Sequence, residues 1–286
     1  MRWFANENLL RRNVSWEYSN ADSKITEEYA VSLTQEDTWL FRHNGFLRVP
    51  ECLPKALVDR LSAVTARHVR EKIEPIVWET SDEYGRISKG GSENGKGVVR
   101  RLSKIIARDP VYLEAAAHPI VLNALETALG PNIELLTNKH NHIMVRPGGS
   151  APVPWHRGEE LYSRTLITVL IYIDESTIEN GCVRVVPGAH QISLAMPRRP
   201  KGMAFRENPL FYRSVPLPMP KGGVLLFNDA IFHGADKNFT DSSRRSMTLA
   251  FQAHDAHLAR KADPEKILVR GERVYEGHPV PKHLLK

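Results

Sequence analysis

Cysteine is almost missing from this chain. Only Cys52 and Cys182 occur in 286 residues, too few and too far apart for a disulfide framework or a thiolate metal site. Cys182 sits within a strand-like pattern and reads as a buried free thiol. No apolar run approaches the roughly 20 residues that a membrane-spanning helix needs. Residues Met1 to Asn20 are polar with scattered aromatics and have no leader-like apolar centre. Both absences favour a cytoplasmic protein with no membrane partner. There is no internal repeat and no low-complexity tract. The net charge of +6 and pI near 9.3 come without a long basic stripe or a nucleic-acid motif, which argues against a nucleic-acid polymer. The charge excess suits a small anionic substrate instead.

What is present is ordinary for a globular enzyme: 42% hydrophobic and 25% charged residues. The length suits one large β-rich domain with helical additions. Residues 1–37 read as an N-terminal arm and 38–286 as a single domain. Within it we expect a helical part over 38–131, a barrel over 132–255 and a C-terminal extension over 256–286. Thr34 to Phe41 reads as a short helix entering a turn at Gly45. Pro54 to Lys72 carries a helical stripe of Ala56, Leu57, Leu61, Val64 and Val69 behind a first-turn proline. Residues 80–98 hold five glycines and few large apolar groups, and read as a mobile, lid-like loop. Asp109 to Leu129 reads as helices broken near Pro119 and ended by Gly130-Pro131.

From residue 132 the pattern turns to strands: 132–146, 164–173, 181–186, 213–217, 223–228 and 245–253. Helices first and strands after predict an α+β fold. We expect a double-stranded β-helix (a jelly roll, cupin-like), with the N-terminal helices packed on one sheet. On a strand through 136–146, Asn138, His140, His142 and Met144 would share one face. If residues 246–253 form a strand, Arg244 and Ser246 would face one way and Arg245 the other, so only one arginine of the pair can enter the barrel.

The chemistry centres on Trp155-His156-Arg157-Gly158-Glu159. Non-haem iron oxygenases hold Fe(II) with two histidines and one carboxylate on one face, leaving open positions for oxygen and substrate. The first two ligands usually stand two residues apart, as His-x-Asp or His-x-Glu. Here the second of those positions is Gly158. Further along come Asn180-Gly181-Cys182 and Pro187-Gly188-Ala189-His190. Phe227-Asn228-Asp229-Ala230-Ile231-Phe232-His233-Gly234 follows, then Asn238 and Arg244-Arg245-Ser246. Together with Gly45-Phe46-Leu47-Arg48-Val49-Pro50, this set resembles the phytanoyl-CoA dioxygenase superfamily of Fe(II)/2-oxoglutarate enzymes over about residues 38–255.

That resemblance implies that His156 and His233 bind iron. It also implies that Arg244, eleven positions after His233, grips the distal carboxylate of 2-oxoglutarate through paired donors. Thr168 and Ser246 would add hydroxyl donors to that carboxylate. His140 would contact substrate or co-substrate, and Met144 would pack near 2-oxoglutarate. Gly158 departs from the pattern. Among relatives of known chemistry a Gly or Ala there marks halogenases, in which chloride binds iron directly.

The expectation is therefore an enzyme, a halogenase using Fe(II), 2-oxoglutarate, O2 and chloride or bromide, with the halide in a space opened by Gly158. Its substrate would be a small phosphorylated metabolite such as a purine nucleotide, with Arg100-Arg101-Lys104 or Arg198-Arg199-Pro200-Lys201 available to grip a phosphate. Other readings remain open. Gly158 could be a turn glycine needing positive φ, or a replacement for an Asp. Glu159 or Glu160 could supply a displaced carboxylate to a hydroxylase, although Glu159 would point away from His156 on a regular strand. The chain could also be a non-catalytic binding protein on the same fold.

Overall fold

The computed structural model describes residues 33–81, 87–90, 98–158, 166–192, 209–254, 256 and 266–273. The first helix, α1 (Gln35–Asn44), starts at a reciprocal cap: the Asp37 N–H donates to the Thr34 hydroxyl while the Thr34 N–H donates back to the Asp37 carboxylate. Gly45 ends it at φ 80°, a left-handed conformation that glycine adopts without steric cost. Strand β1 (Phe46–Val49) follows directly. Helix α2 (Lys55–Arg70) buries Leu57, Val58, Leu61, Thr65 and His68; of the anticipated stripe Leu57 and Leu61 are buried, Val64 and Val69 are half-buried, and Ala56 is exposed.

Helices α3 (Pro110–Ala116) and α4 (Pro119–Leu129) are separated where Pro119 opens the second one. The Asp109 carboxylate caps α3 by accepting the Val111 N–H at 3.1 Å. The remaining strands are β2 (Ile76–Ser81), β3 (Ile87–Gly90), β4 (Val98–Ser103), β5 (Ile133–Leu136), β6 (His142–Arg146), β7 (Val153–His156), β8 (Ile167–Tyr172), β9 (Val183–Val185), β10 (Val215–Leu217), β11 (Val224–Asn228), β12 (His233–Ala235), β13 (Arg244–Ala253) and β14 (Lys266–Arg270). A short helix, α5 (Pro209–Tyr212), precedes β10.

The strands form two sheets. The larger runs β1-β11-β8-β13-β6-β4-β2-β3, with β5 and β14 attached beside β13, and the smaller runs β10-β9-β12-β7. This is the expected jelly-roll arrangement. Strand alternation sorts the side chains into layers. In β8 and β11, Val169, Ile171, Val224 and Leu226 face outward and pack with Leu57 and Leu61 of α2 and Leu125 of α4. Their neighbours Leu170, Tyr172, Leu225 and Phe227 face inward against Val183, Val185, Leu217 and Phe232. The large sheet is thus buried on both faces, with helices on one and the small sheet on the other.

Two expectations need correction. The run 132–146 is not one strand, because the chain breaks between β5 and β6 and His140 turns to φ 50°. The break lets β5 pair with Ala250–Ala253 of β13 while β6 pairs with Arg244–Thr248 of the same strand. Within 80–98, expected to be loop throughout, β2 runs on to Ser81 and pairs with β3. The rest of that segment, most of the N-terminal arm and Arg198, Arg199 and Lys201 lie outside the described residues. Among the described residues no helix is long and apolar enough to cross a membrane.

Candidate active site

Strands β7 and β12 of the small sheet had no clear periodicity of their own, yet they carry the two histidines. They pair antiparallel with His233 directly opposite His156, and a register shift follows between His233 and Ala235. Cross-strand pairing brings the rings to 4.1 Å between centroids, tilted by 51°. Each ring is anchored in the same way. His156 Nδ1 lies 2.8 Å from the Pro154 carbonyl and His233 Nδ1 lies 3.0 Å from the Ile231 carbonyl. A carbonyl can only accept, so Nδ1 carries the proton in both rings, the tautomer in which a neutral imidazole offers Nε2. That is the preparation a metal-ligating imidazole needs. Burial, reinforced by the neighbouring His156, pushes the His233 pKa down to about 3, so this ring stays neutral at any working pH.

The pair opens into a cavity of about 1,080 Å³ between the inner faces of the two sheets. His140, Met144, Thr168, Arg244 and Ser246, all marked from the sequence, line the same cavity as His156 and His233. Arg244 enters it from β13 with only 3% exposure, and its Nη2 donates to the Gly181 carbonyl at 2.8 Å. Among the described residues its Nε has no hydrogen-bond partner. A buried guanidinium N–H left without an acceptor is costly, and a carboxylate supplies what it lacks. The donor set therefore fits both Fe(II) and a dicarboxylate co-substrate: two imidazoles with Nδ1 held by backbone carbonyls and a charged fork in one pocket. Arg245 points to the opposite face, as strand alternation requires. There Nε and Nη2 form a two-pronged pair with Asp174, each at 2.7 Å, and Nη2 reaches the Ser62 hydroxyl on α2.

Several site residues behave differently from their expected roles. The space beside Gly158 is not open. A Cβ built there would overlap the Asp229 carboxylate, coming within 2.6 Å of Oδ1 and closer still to Cγ and Oδ2. Gly158 does not have positive φ, so the turn-glycine explanation also falls. The close approach of Asp229 is what requires glycine. The backbone ties the two residues as well, with the Gly158 N–H donating to the Asp229 carbonyl at 2.6 Å.

The Thr168 hydroxyl donates to Asp229 Oδ1 at 3.3 Å. His140 reaches the cavity because of the chain break and not by strand alternation, and its Nε2 stands 3.5 Å from Asp229 Oδ1. Glu159 and Glu160 lie outside the described residues.

Asp229 is thus the residue that reading the sequence left without a role. Lys139 Nζ donates to its Oδ2 at 2.8 Å. Burial alone would raise its pKa, but His140 and Lys139 outweigh that and hold it well below the carboxylate range. Also unanticipated is the number of cationic groups along the walls. Arg100, Arg101, Arg146 and Arg184 join Arg244, while Asp236 is the single acid among the described lining residues. Arg100 and Arg101 were singled out from the sequence, and among the described residues Arg101 Nε too has no hydrogen-bond partner. Lys104 is not among the lining residues. His142 lines the cavity beside Arg101, and burial together with that guanidinium holds its pKa well below the usual histidine range.

Comparison with known proteins gives matches over most of the chain. The family model for phytanoyl-CoA dioxygenase (PhyH) matches residues 41–246. The chain is 26% identical over 221 residues to dioxygenase lolE1 of Epichloe uncinata, covering 75% of this chain and 81% of that protein. It is 23% identical over 242 residues to the peroxisomal phytanoyl-CoA dioxygenase of Homo sapiens, covering 79% and 70%. Among solved structures it resembles the epimerase SnoN in complex with Fe3+, alpha ketoglutarate and nogalamycin RO. That match has a TM-score of 0.62 at 20% identity, over 78% of this chain and 84% of that one.

Proposed function

The chain belongs to the phytanoyl-CoA dioxygenase family of Fe(II)/2-oxoglutarate-dependent oxygenases, and we propose that it oxidises an unactivated aliphatic carbon of a small phosphorylated metabolite. The observation that carries the reading is the facing pair His156 and His233, each with Nδ1 held by a backbone carbonyl, in one cavity with an under-partnered Arg244. When bound, iron with 2-oxoglutarate and O2 supplies the oxidising power. In this reading the chain supplies orientation. His156 and His233 hold the metal through Nε2, Arg244 holds the distal carboxylate of 2-oxoglutarate with Ser246 beside it, and Met144 packs against the co-substrate.

The five cavity arginines favour an anionic substrate. Arg101, paired with Met144 of β6, and its neighbour Arg100 suit its phosphate as charge-assisted donors. Trp155 and Phe211 line the same cavity and stack on one another at 5.1 Å. They offer a flat apolar wall to a ring such as a purine, which keeps a nucleotide among the first substrates to try.

Halogenation is the second reading, and Gly158 favours it by withholding the usual carboxylate. Asp229 weighs against it, since a buried anion occupies the space where a halide would sit and would repel it. Anaerobic titration with Fe(II) and 2-oxoglutarate, followed by the visible metal-to-ligand charge-transfer band, tests both readings. The oxygenase reading expects the band, its loss in His156→Ala and His233→Ala, and no response to chloride or bromide. A halide-dependent shift, followed by a product in which chlorine replaces hydrogen, would establish halogenation instead. Absence of a band in the wild type would leave a binding protein.

A further inference from the structure

We infer that Arg100 and Arg101, joined by His142, form a receptor that selects a phosphate monoester on the substrate over singly charged anions. The inference rests on the phosphorylated-substrate reading above and adds which ester is taken and which side chains choose it. Its first support is a departure from strand alternation. On a regular strand Arg100 and Arg101 would face opposite sides, as Arg244 and Arg245 do. Both line the cavity instead. The register of β4 against β2 explains why: Arg101 pairs with Val77 and Val99 with Trp78, which leaves Arg100 as an extra, unpaired residue. Val99 and Leu102, flanking the two arginines, both lie in the helix-side core. The bulge therefore turns two consecutive guanidinium groups to the cavity face, a re-aiming that bulges commonly serve.

The second support is what this pair lacks. Five arginines are among the described lining residues. Arg146 donates to the Ala151 and Asp236 carbonyls, Arg184 to Ser214 and Asp236, and Arg244 to the Gly181 carbonyl. Among the described residues Arg100 and Arg101 have no such acceptor, and Arg101 Nε is buried. Asp236 is already paired with Arg184 at 3.4 Å. Burial, and next the Arg100 charge, weaken the hold of Arg101 on its proton. Two like charges kept together in a half-buried wall are costly until an anion joins them.

The third support is the match of charge and donors. A carboxylate, a sulfate ester or a phosphate diester carries one negative charge. A phosphate monoester carries about 1.5 to 2 at neutral pH, spread over three acceptor oxygens. It can engage both guanidinium groups and still accept from a neutral donor. His142 meets that need. Arg101 pairs with Met144 and Ser103 with His142, so Arg101 and His142 are diagonal neighbours across β4 and β6, a spacing that long side chains span. Burial, then Arg101 and His140, hold His142 neutral, so it offers an N–H without a third positive charge.

The test is anion binding, read without iron. Phenyl phosphate would be titrated by calorimetry into the full chain with chelator present, beside phenyl sulfate and the diester methyl phenyl phosphate. Phenyl phosphate should bind at least ~10-fold more tightly than either. Arg100→Met and Arg101→Met should each weaken it at least ~10-fold. His142→Leu should cost about 5-fold, and His142→Gln, which keeps a donor, less. Neither arginine variant should shift the 2-oxoglutarate titration of the charge-transfer band.

A wild type with no preference for phenyl phosphate would overturn the inference and leave the iron reading intact. So would folded arginine variants that bind phenyl phosphate as the wild type does. Variants that lose 2-oxoglutarate instead would also overturn it, by assigning the pair to the co-substrate. Selective phosphate binding in a chain that gives no charge-transfer band would uphold the receptor and overturn the iron reading alone.

Discussion

Replacing Gly158 with alanine distinguishes an open space from a filled one. The backbone there has no positive φ, so in open space the added methyl would only restrict the unfolded chain and would stabilise by about 0.4–1 kcal/mol. The structure predicts the opposite sign. The Asp229 carboxylate must withdraw by more than ~1 Å to regain ordinary contact with the new Cβ, and the 2.8 Å bond from Lys139 goes with it. Breaking a buried pair costs about 3–5 kcal/mol. The Lys139 side chain is 21% exposed and recovers part of that from water, so we expect Gly158→Ala to destabilise by about 2 kcal/mol.

The assay is urea unfolding followed by circular dichroism with chelator present, comparing Gly158→Ala, Asp229→Ala and the double variant. Truncating Asp229 removes the carboxylate that overlaps the methyl at 158, so the double variant should lose little more than Asp229→Ala alone. The coupling should be on the order of 1–2 kcal/mol. A neutral or stabilising Gly158→Ala, or effects that simply add, would refute the contact and with it the reason for glycine.

Other expectations follow from the same geometry. Arg244→Leu should raise the concentration of 2-oxoglutarate needed for the charge-transfer band by at least ~10-fold, while Arg244→Lys, with charge but no fork, should recover only part of the loss; an unchanged titration would remove Arg244 from the co-substrate site. Arg245→Ala cuts the tie from β13 to Asp174 and Ser62 and should lower stability by about 2 kcal/mol without moving 2-oxoglutarate affinity. The reverse pattern would exchange the roles of the two arginines.

Acid should destabilise the fold through His142. Its folded pKa is depressed, so its stability contribution is present above the unfolded value near ~6.5 and is lost as pH falls toward the folded value. Between pH 7 and 5 that single group accounts for up to about 2 kcal/mol, and His142→Gln should flatten the slope of urea midpoint against pH by that much. An equal slope in the variant would mean that His142 accepts a proton in place.

Much of the fold was legible because local chemistry dictated it. Thr34, Asp37 and Gly45 bound the first helix, Pro54 opens the second, and Asp109, Pro119 and Gly130 divide the pair that follows. Each acts within a turn or two, so sequence order alone places it. The same applies to β8, β11 and β13, where long apolar strands read as sheet interior, and to the sorting of Arg244 and Arg245 onto opposite faces, which follows from the two-residue period of a strand.

The site was legible only in part. His156, His233 and Arg244 stand at family spacings, but nothing in β7 or β12 predicts strands of four and three residues. Those strands exist because each has a partner to pair with, and their cross-strand register is what sets the two rings face to face. His140 shows the limit from the other side. It reaches the cavity although the strand expected to carry it breaks at that point.

By itself, then, the sequence determined the order of helices and strands, the two histidines, the arginine that enters the barrel and the absence of a carboxylate at 158. Only the tertiary structure decided what that absence means. Residues 158 and 229 lie far apart along the chain, and no local pattern tells a glycine that leaves a vacancy from one that yields its volume to a neighbour. Packing density settles the difference, because a buried interior leaves few voids and fills each with whichever side chain the fold brings there. Here that side chain is Asp229.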